Sequence, residues 1–353
     1  MAAAKTLLAV LVSSLVPLAC AELAIRKGWV PQPRYIESSG WWRDAWFRGN
    51  PGPIPAAFVA LDRDLGWLPA ANLDRLRLEG ARVGTNSANI RGRREYPLGP
   101  SERPRIVAVG DSYVFGQCVG DEQTIPARLE ALLPGSDAIN HGVMGYGHDQ
   151  MLLRLRLYGL RYEPDVVLLG FHTMDIPRNL LDFRDYAKPR FRLEDGALVL
   201  ESVPVKMPEE LLGRPWPPRL VDYAIMLHDR LREEQRRAYS YGLAFAIVEQ
   251  IMRETQEAGA RFALLYLPRA KDLLRGERFG IEQVERFCAE AAEAICISPV
   301  ERVVRAIPRE DYPRHFQCHY SPQLYGLIAD EVAAVLAREL PGTFAAGPGA
   351  SAP

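Results

Sequence analysis

A run of β-formers, Ile106-Val107-Ala108-Val109, ends at Gly110-Asp111-Ser112. A short, continuous apolar run of this kind reads as a buried strand. A serine lifted on a glycine-flanked turn at the strand's end is placed to act as a nucleophile, although the same residues also suit a strand, a turn and a helix cap. Serine is a weak nucleophile near neutral pH unless a base takes its proton, and histidine is the usual base. His319 stands far downstream, just ahead of the last helical stretch. Between the two lies the glycine-rich run Gly142–Gly147, "GVMGYG". Backbone N–H groups on such a loop can hold the oxyanion that forms when a hydroxyl attacks an ester. These are the parts needed for acyl transfer.

Positioning them requires regular elements, and an α/β rhythm begins at Arg105. "RIVAVGDS" is a strand, and "TIPARLEALL" is a helix with Thr124 as cap and Pro126 in its first turn. "DAINHGV" is a strand, "HDQMLLRLRLYGLRY" a helix, and "PDVVLLGFH" a third strand. This spacing predicts right-handed βαβ units and a parallel sheet. Ligands of such sheets sit beyond the carboxyl ends of the strands. Asp111-Ser112, Gly142 with Gly145, and the segment after Gly170 all fall there. An insertion at about 186–258 begins with a hairpin, Pro189 to Val205, turning at Asp195-Gly196, and continues as helices from Val221 to Gly259. "RFALLYLPRA" restarts the sheet. "IEQVERFCAEAAEAI" is a helix, a short strand follows near Ile295 to Ser298, and a helix from Pro322 closes the main domain, 105–340. Residues 28–104 read as a β-rich lead-in covering one edge. Within it, Trp41 to Phe47 is a packed helix or an aromatic surface. Residues 341–353 read as a disordered tail.

The chain has 353 residues, 48% hydrophobic and 25% charged, with net charge −1. That is an ordinary globular composition without the basic footprint of a nucleic-acid partner. The Arg-rich stretch Arg91 to Glu95 reads as a solvated loop. Thr6 to Ala21 carries no charge, so residues 1–27 read as a signal peptide or a membrane anchor. Either implies export, a periplasmic or cell-envelope location, and membrane contact through the N-terminal segment. The five cysteines form no C-x-x-C pair, which argues against zinc and for buried free thiols at most positions.

The order GDSYVFG, NHGVMGYGHDQ, PDVVLLGFHTMDIPRN and HYSPQLYGLIAD resembles the SGNH (GDSL-type) hydrolases. More narrowly, it resembles the exported members associated with bacterial polysaccharide assembly. The resemblance spans about Leu65 to Arg338. It implies a three-layer α/β/α fold with a parallel, flavodoxin-like sheet. It makes Ser112 the nucleophile and His319 the base, with the N–H groups of Ser112 and Gly145 around the oxyanion. No metal or organic cofactor is required. The implied substrate is an acyl ester of carbohydrate, such as an O-acetylated surface polysaccharide. An O-acyltransferase with the same acyl-serine and a catalytically silent glycan-binding scaffold are the alternatives.

Two departures stand out. Where the family has an asparagine that donates to the oxyanion, this chain has Met174, and a thioether donates no hydrogen bond. Loss of one such donor costs about 100- to 1,000-fold in rate. His172 and Asn179 are candidate replacements. The aspartate expected two or three residues before the histidine is replaced by Gln317 and Phe316. An amide can fix a tautomer but cannot stabilise imidazolium, and loss of that carboxylate costs about 10⁴-fold in a well-studied triad. Asp311 is a distant fallback. Asp111 and Asp175 are supporting residues, Asp175 by ordering its loop, while His141 and His315 are bystanders. Cys118 lies six residues after Ser112, and Cys318 immediately precedes His319. If the fold joins serine to histidine, it also brings these two sulfurs into one neighbourhood, where a Cys118–Cys318 disulfide is permitted.

Overall fold

A computed structural model describes residues 2–30, 38–47, 54–211, 219–275 and 279–344. The disordered tail expected from residue 341 is corrected at its start, since residues 341–344 are described and Phe344 is buried; the rest of it, from residue 345, lies outside the described residues.

Helix α1 (Ala2–Arg26) leads the chain, and α2 (Ser39–Phe47) carries the Trp41 to Phe47 stretch. Two antiparallel hairpins follow. The first pairs β1 (Val59–Asp62) with β2 (Gly66–Pro69), and the second pairs β3 (Leu76–Leu78) with β4 (Ala81–Val83). The core then starts with β5 (Arg105–Val109), α3 (Ser112–Phe115), α4 (Ile125–Leu132) and β6 (Asp137–Asn140). It continues through α5 (His148–Leu157) and β7 (Val166–Phe171). The hairpin β8 (Arg190–Glu194) with β9 (Ala197–Glu201) turns at Asp195-Gly196. Helices α6 (Pro208–Leu211), α7 (Arg219–Leu231) and α8 (Glu233–Glu257) lead back to β10 (Arg261–Tyr266). Then come α9 (Ala270–Arg275), α10 (Phe279–Glu290), β11 (Ile295–Ile297), α11 (Val300–Ala306), α12 (Tyr312–His315) and α13 (Pro322–Glu339).

The central sheet is parallel, in the order β6-β5-β7-β10-β11. Counting only its members along the chain, that is 2-1-3-4-5, the flavodoxin-like order. Period-2 alternation divides the strand side chains between two apolar layers. Val107, Val109, Val167, Leu169, Phe262 and Leu264 face α5, α8 and α10. Ile106, Ala108, Leu168, Ala263 and Leu265 face α4, α11 and α13. Both faces are thus covered, which explains the unbroken apolar runs. Thr124 caps α4 by accepting from the Ala127 N–H, and Ser321 caps α13 by accepting from that of Leu324.

The lead-in reaches the loops at the sheet's carboxyl edge. Trp67 of β2 is buried, its Nε1 donates to the Met144 carbonyl at 2.9 Å, and the Tyr146 hydroxyl donates back to the Trp67 carbonyl. Arg91 is 4% exposed, which corrects its reading as part of a solvated loop. It pairs with Asp121 and donates to the carbonyls of Phe115, Val119 and Gly84, so its charge is satisfied inside. Removing it leaves three carbonyls without their donor, and Arg91→Ala is expected to lower stability by about 3 kcal/mol in urea unfolding.

Among the described residues no helix is long and apolar enough to cross a membrane. Cys288 and Cys296 are disulfide-bonded, Cα atoms 6.1 Å apart, because the chain folds back from α10 into β11. Cys118 and Cys318 are bonded as well, and Cys20 alone is free. The expectation of mostly free thiols is therefore corrected: spacing along the chain did not reveal this return.

Candidate active site

The parallel order reverses between β5 and β7, the position where open α/β sheets bind ligands. Helix α3 sits in that crevice on three glycines. A Cβ on Gly142 would lie 2.3 Å from the Phe115 backbone nitrogen. Cβ atoms on Gly110 and Gly170 would lie 2.2 and 2.3 Å from the Val114 side chain. Small strand ends are therefore what lets α3, which opens with Ser112, seat so low. Asp111 caps α3 by accepting from the Tyr113 N–H at 2.9 Å. Asn140 locks the same region, donating to the Val114 carbonyl and accepting from the Gly142 N–H.

Ser112 opens α3 and is 6% exposed. His319, two residues before the Ser321 cap of α13, places Nε2 2.8 Å from Ser112 Oγ. That is hydrogen-bonding reach for proton transfer. Tyr113 packs between three rings: His172 at 4.4 Å, His319 at 4.6 Å and Tyr320 at 4.6 Å. The Tyr320 hydroxyl donates to the Pro268 carbonyl after β10, which anchors the histidine loop to the sheet. Among the described residues, neither the Ser112 nor the Gly145 N–H has a protein acceptor, and Gly145 is held at φ +85°. Both amides remain available to an oxyanion.

Burial lowers the pKa of His319 below its ordinary value, against the opposing charges of Asp111 and Glu79. A base must be neutral to accept the serine proton. Turnover is therefore expected to fall as the pH drops through that pKa, with its midpoint below 6.5, read from the acid limb of kcat/KM.

Met174 is 48% exposed and contributes only its backbone N–H, donated to His172 Nδ1 at 3.4 Å. His172 is fully buried, and burial pushes its pKa down to about 4, so it is a neutral packing ring. Asn179 does not replace the missing donor: its Oδ1 accepts from the Asp149 N–H and its Nδ2 meets His148 at the start of α5. Gln317 is exposed and makes no hydrogen bond to His319, and Asp311 pairs with Arg314. His141 is buried beside Tyr162, and His315 meets Ser321.

Arg178 was not singled out from the sequence. It pairs with Asp175 and lies 3.5 Å from Asp111, and it donates to the Tyr146 carbonyl. Burial raises the pKa of both carboxyls. At Asp111 the neighbouring His172 ring, the Arg178 charge and the Tyr113 N–H reverse this and leave it low. At Asp175 the neighbouring Asp111 charge adds to burial and pushes it well up. Two groups could in principle ligate a metal: Asp111 with His172 and Asp175, and Glu79 with Cys118, Cys318 and His319. In the first, Arg178 already supplies the positive charge. In the second, bridging removes the thiolates.

No family model matches the chain, and no curated protein sequence does. Among solved structures, it is similar to a lipolytic protein of the G-D-S-L family from Veillonella parvula. That match has 14% identity over 67% of this chain and 97% of the other, with TM-score 0.40. A GDSL-like lipase from Bacteroides thetaiotaomicron is 12% identical over 69% and 93%, TM-score 0.43. A mutant acetyl-xylooligosaccharide esterase from Geobacillus Stearmophilus is 12% identical over 67% and 93%, TM-score 0.40. Likenesses this distant carry no argument about activity. The strand order, the sequence of four motifs and the serine–histidine pair at the switch point stand apart from them: in fold and motif arrangement the chain resembles the SGNH (GDSL-type) hydrolases.

Proposed function

We propose that the protein is a serine ester hydrolase acting on short acyl esters of carbohydrate, outside the cytoplasm. The observation that carries this reading is the 2.8 Å contact between His319 Nε2 and Ser112 Oγ beside two unsatisfied N–H groups. In the proposed cycle, Ser112 Oγ attacks the ester carbonyl as His319 takes its proton. The Ser112 and Gly145 amides hold the oxyanion. The protonated imidazole then gives its proton to the leaving sugar oxygen, and water releases the acyl group by the same route. With Met174 in place of a third donor, the rate is modest by the same arithmetic.

A short acyl group suits the surroundings. Cavities of about 830, 640 and 460 Å³ are lined by residues of α7 and α8, of α10, α11 and α13, and of α8 with α10, none of them including Ser112 or His319. Beside Ser112 and Asp111 stand Tyr113, packed against the His319 ring, and Arg178. Export and membrane contact rest on α1: Val12, Leu15, Val16 and Leu18 are each at least half exposed within its charge-free run. Transfer to a sugar hydroxyl is the second reading, since nothing in the acyl-serine step distinguishes water from an alcohol.

The test is turnover of a chromogenic acetyl ester and of acetylated oligosaccharides, with product analysis in the presence of an acceptor glycan. Free acetate from the oligosaccharide supports the hydrolase, and acetylated acceptor supports the transferase. Absence of both in folded protein contradicts the proposal and leaves the silent scaffold.

A further inference from the structure

Neutral His319 accepts the Ser112 proton at Nε2 only if Nδ1 carries the ring hydrogen, so Nδ1–H needs an acceptor. Its own loop supplies none, because Gln317 is exposed and Asp311 pairs with Arg314. We propose that Glu79, on the turn between β3 and β4, is the positioning carboxylate for His319, supplied by the lead-in in place of the acid missing from the histidine's own loop. This rests on the serine–histidine reading of the site.

Two independent observations support it. The first is placement. His319 Nδ1 lies 3.5 Å from Cys118 Sγ and 3.8 Å from Cys318 Sγ. Glu79 Oε2 lies 2.9 and 2.7 Å from the same two sulfurs. The four potential ligand atoms are all within 4.8 Å of one another. Bridged sulfurs have no hydrogen to donate, so these are contacts and leave the carboxylate's lone pairs open. The ring N–H is the donor facing them, within reach of a side-chain rotation or one bridging water.

The second is backbone conformation. Leu78-Glu79-Gly80-Ala81 is a two-residue hairpin turn with φ +47° at Glu79 and +88° at Gly80. Positive φ at both central residues defines the turn that favours Asn, Asp or Gly at the first of them. Glutamate there costs backbone energy, and such strain persists where the side chain has a use. Besides Glu79, the charged groups that act on His319 are Asp111, which also favours the imidazolium, and Arg178, which opposes it. Tyr113 contributes an uncharged ring.

The experiment compares wild type with Glu79→Gln, Glu79→Asn and Glu79→Asp. It records the NMR titration of the His319 ring, kcat and KM on the chromogenic acetyl ester, and thermal melting. Loss of the carboxylate is expected to move the His319 midpoint to lower pH and to lower kcat by about tenfold with KM nearly unchanged. This is less than for a buried triad acid, because Glu79 is exposed to solvent. Glu79→Asn should melt no lower than wild type, since asparagine fits the turn better. Glu79→Asp should keep most of the midpoint. An identical His319 midpoint in wild type and Glu79→Gln overturns the proposal, as does a fall in kcat without a midpoint shift, which would assign Glu79 to the fold. The titration does not depend on turnover: a shifted midpoint in a protein inert to esters supports the pairing while contradicting the esterase reading.

Discussion

Replacing Ser112 by alanine is expected to lower ester turnover by about 10⁴- to 10⁶-fold, the range seen when single members of a catalytic triad are removed. The melting temperature should hardly move. Helix α3 is capped by the Asp111 carboxylate rather than by the serine hydroxyl, and alanine is at least as good a helix former. The hydroxyl's partners are His319 Nε2 at 2.8 Å and Asp111 at 3.4 Å, and both keep other neighbours when it is lost. Steady-state kinetics together with a circular-dichroism melt check the two halves. Undiminished turnover in the folded variant would remove Ser112 from the reaction.

Gly142→Ala is expected to give the largest combined effect on fold and activity. The new methyl would meet the backbone of Val114 and Phe115, the nearest atom at 2.3 Å, and backbone cannot rotate away as a side-chain tip can. The loop cannot recede either. Val143 N–H donates to the Gly110 carbonyl, and Gly142 N–H is held by Asn140. Relief must come from moving α3 and with it Ser112. Overpacking of this kind costs about 1–3 kcal/mol. A displacement of about 1 Å at a reacting atom costs about 100-fold in rate. Urea unfolding and kcat/KM should both fall. Gly242→Ala in α8, where an added methyl meets nothing within 4 Å, is the control expected to be neutral or slightly stabilising.

The strands and their covering helices were legible because apolar runs and caps are local signals. Val107 and Ile106 already declared two-sided burial, and Thr124 and Ser321 stand where cap chemistry puts them. That the serine, the histidine and the glycine loop meet was legible as a candidate site because the residue types suited to a nucleophile, a base and oxyanion amides are recognisable in sequence, and His319 Nε2 lies 2.8 Å from Ser112 Oγ. What escaped depends on distant returns of the chain. Arg91 looked solvated within a basic stretch, yet it is folded under the segment that follows Ser112. Arg178 carries no motif of its own and matters because burial forces a cation between Asp111 and Asp175. Glu79 left one faint trace, a Glu-Gly pair at a hairpin turn where Asn-Gly or Asp-Gly is usual. The Cys288–Cys296 bridge depends on the sharp reversal after α10. Asn179 shows the converse: polar and near the right motif, it is turned toward α5.

The lead-in thus touches all three parts of the candidate site, through Trp67 at the glycine loop, Arg91 at the segment after Ser112 and Glu79 beside the histidine. Its contribution is to hold loops that the sheet alone would leave free.

Exposure of the folded protein to a fluorophosphonate, followed by peptide mass spectrometry, reports most directly whether the hydroxyl at the switch point is activated. The expected result is a single adduct on Ser112 that disappears when His319 is replaced by alanine. A folded protein that takes up no label, or carries it on a different serine, would contradict it.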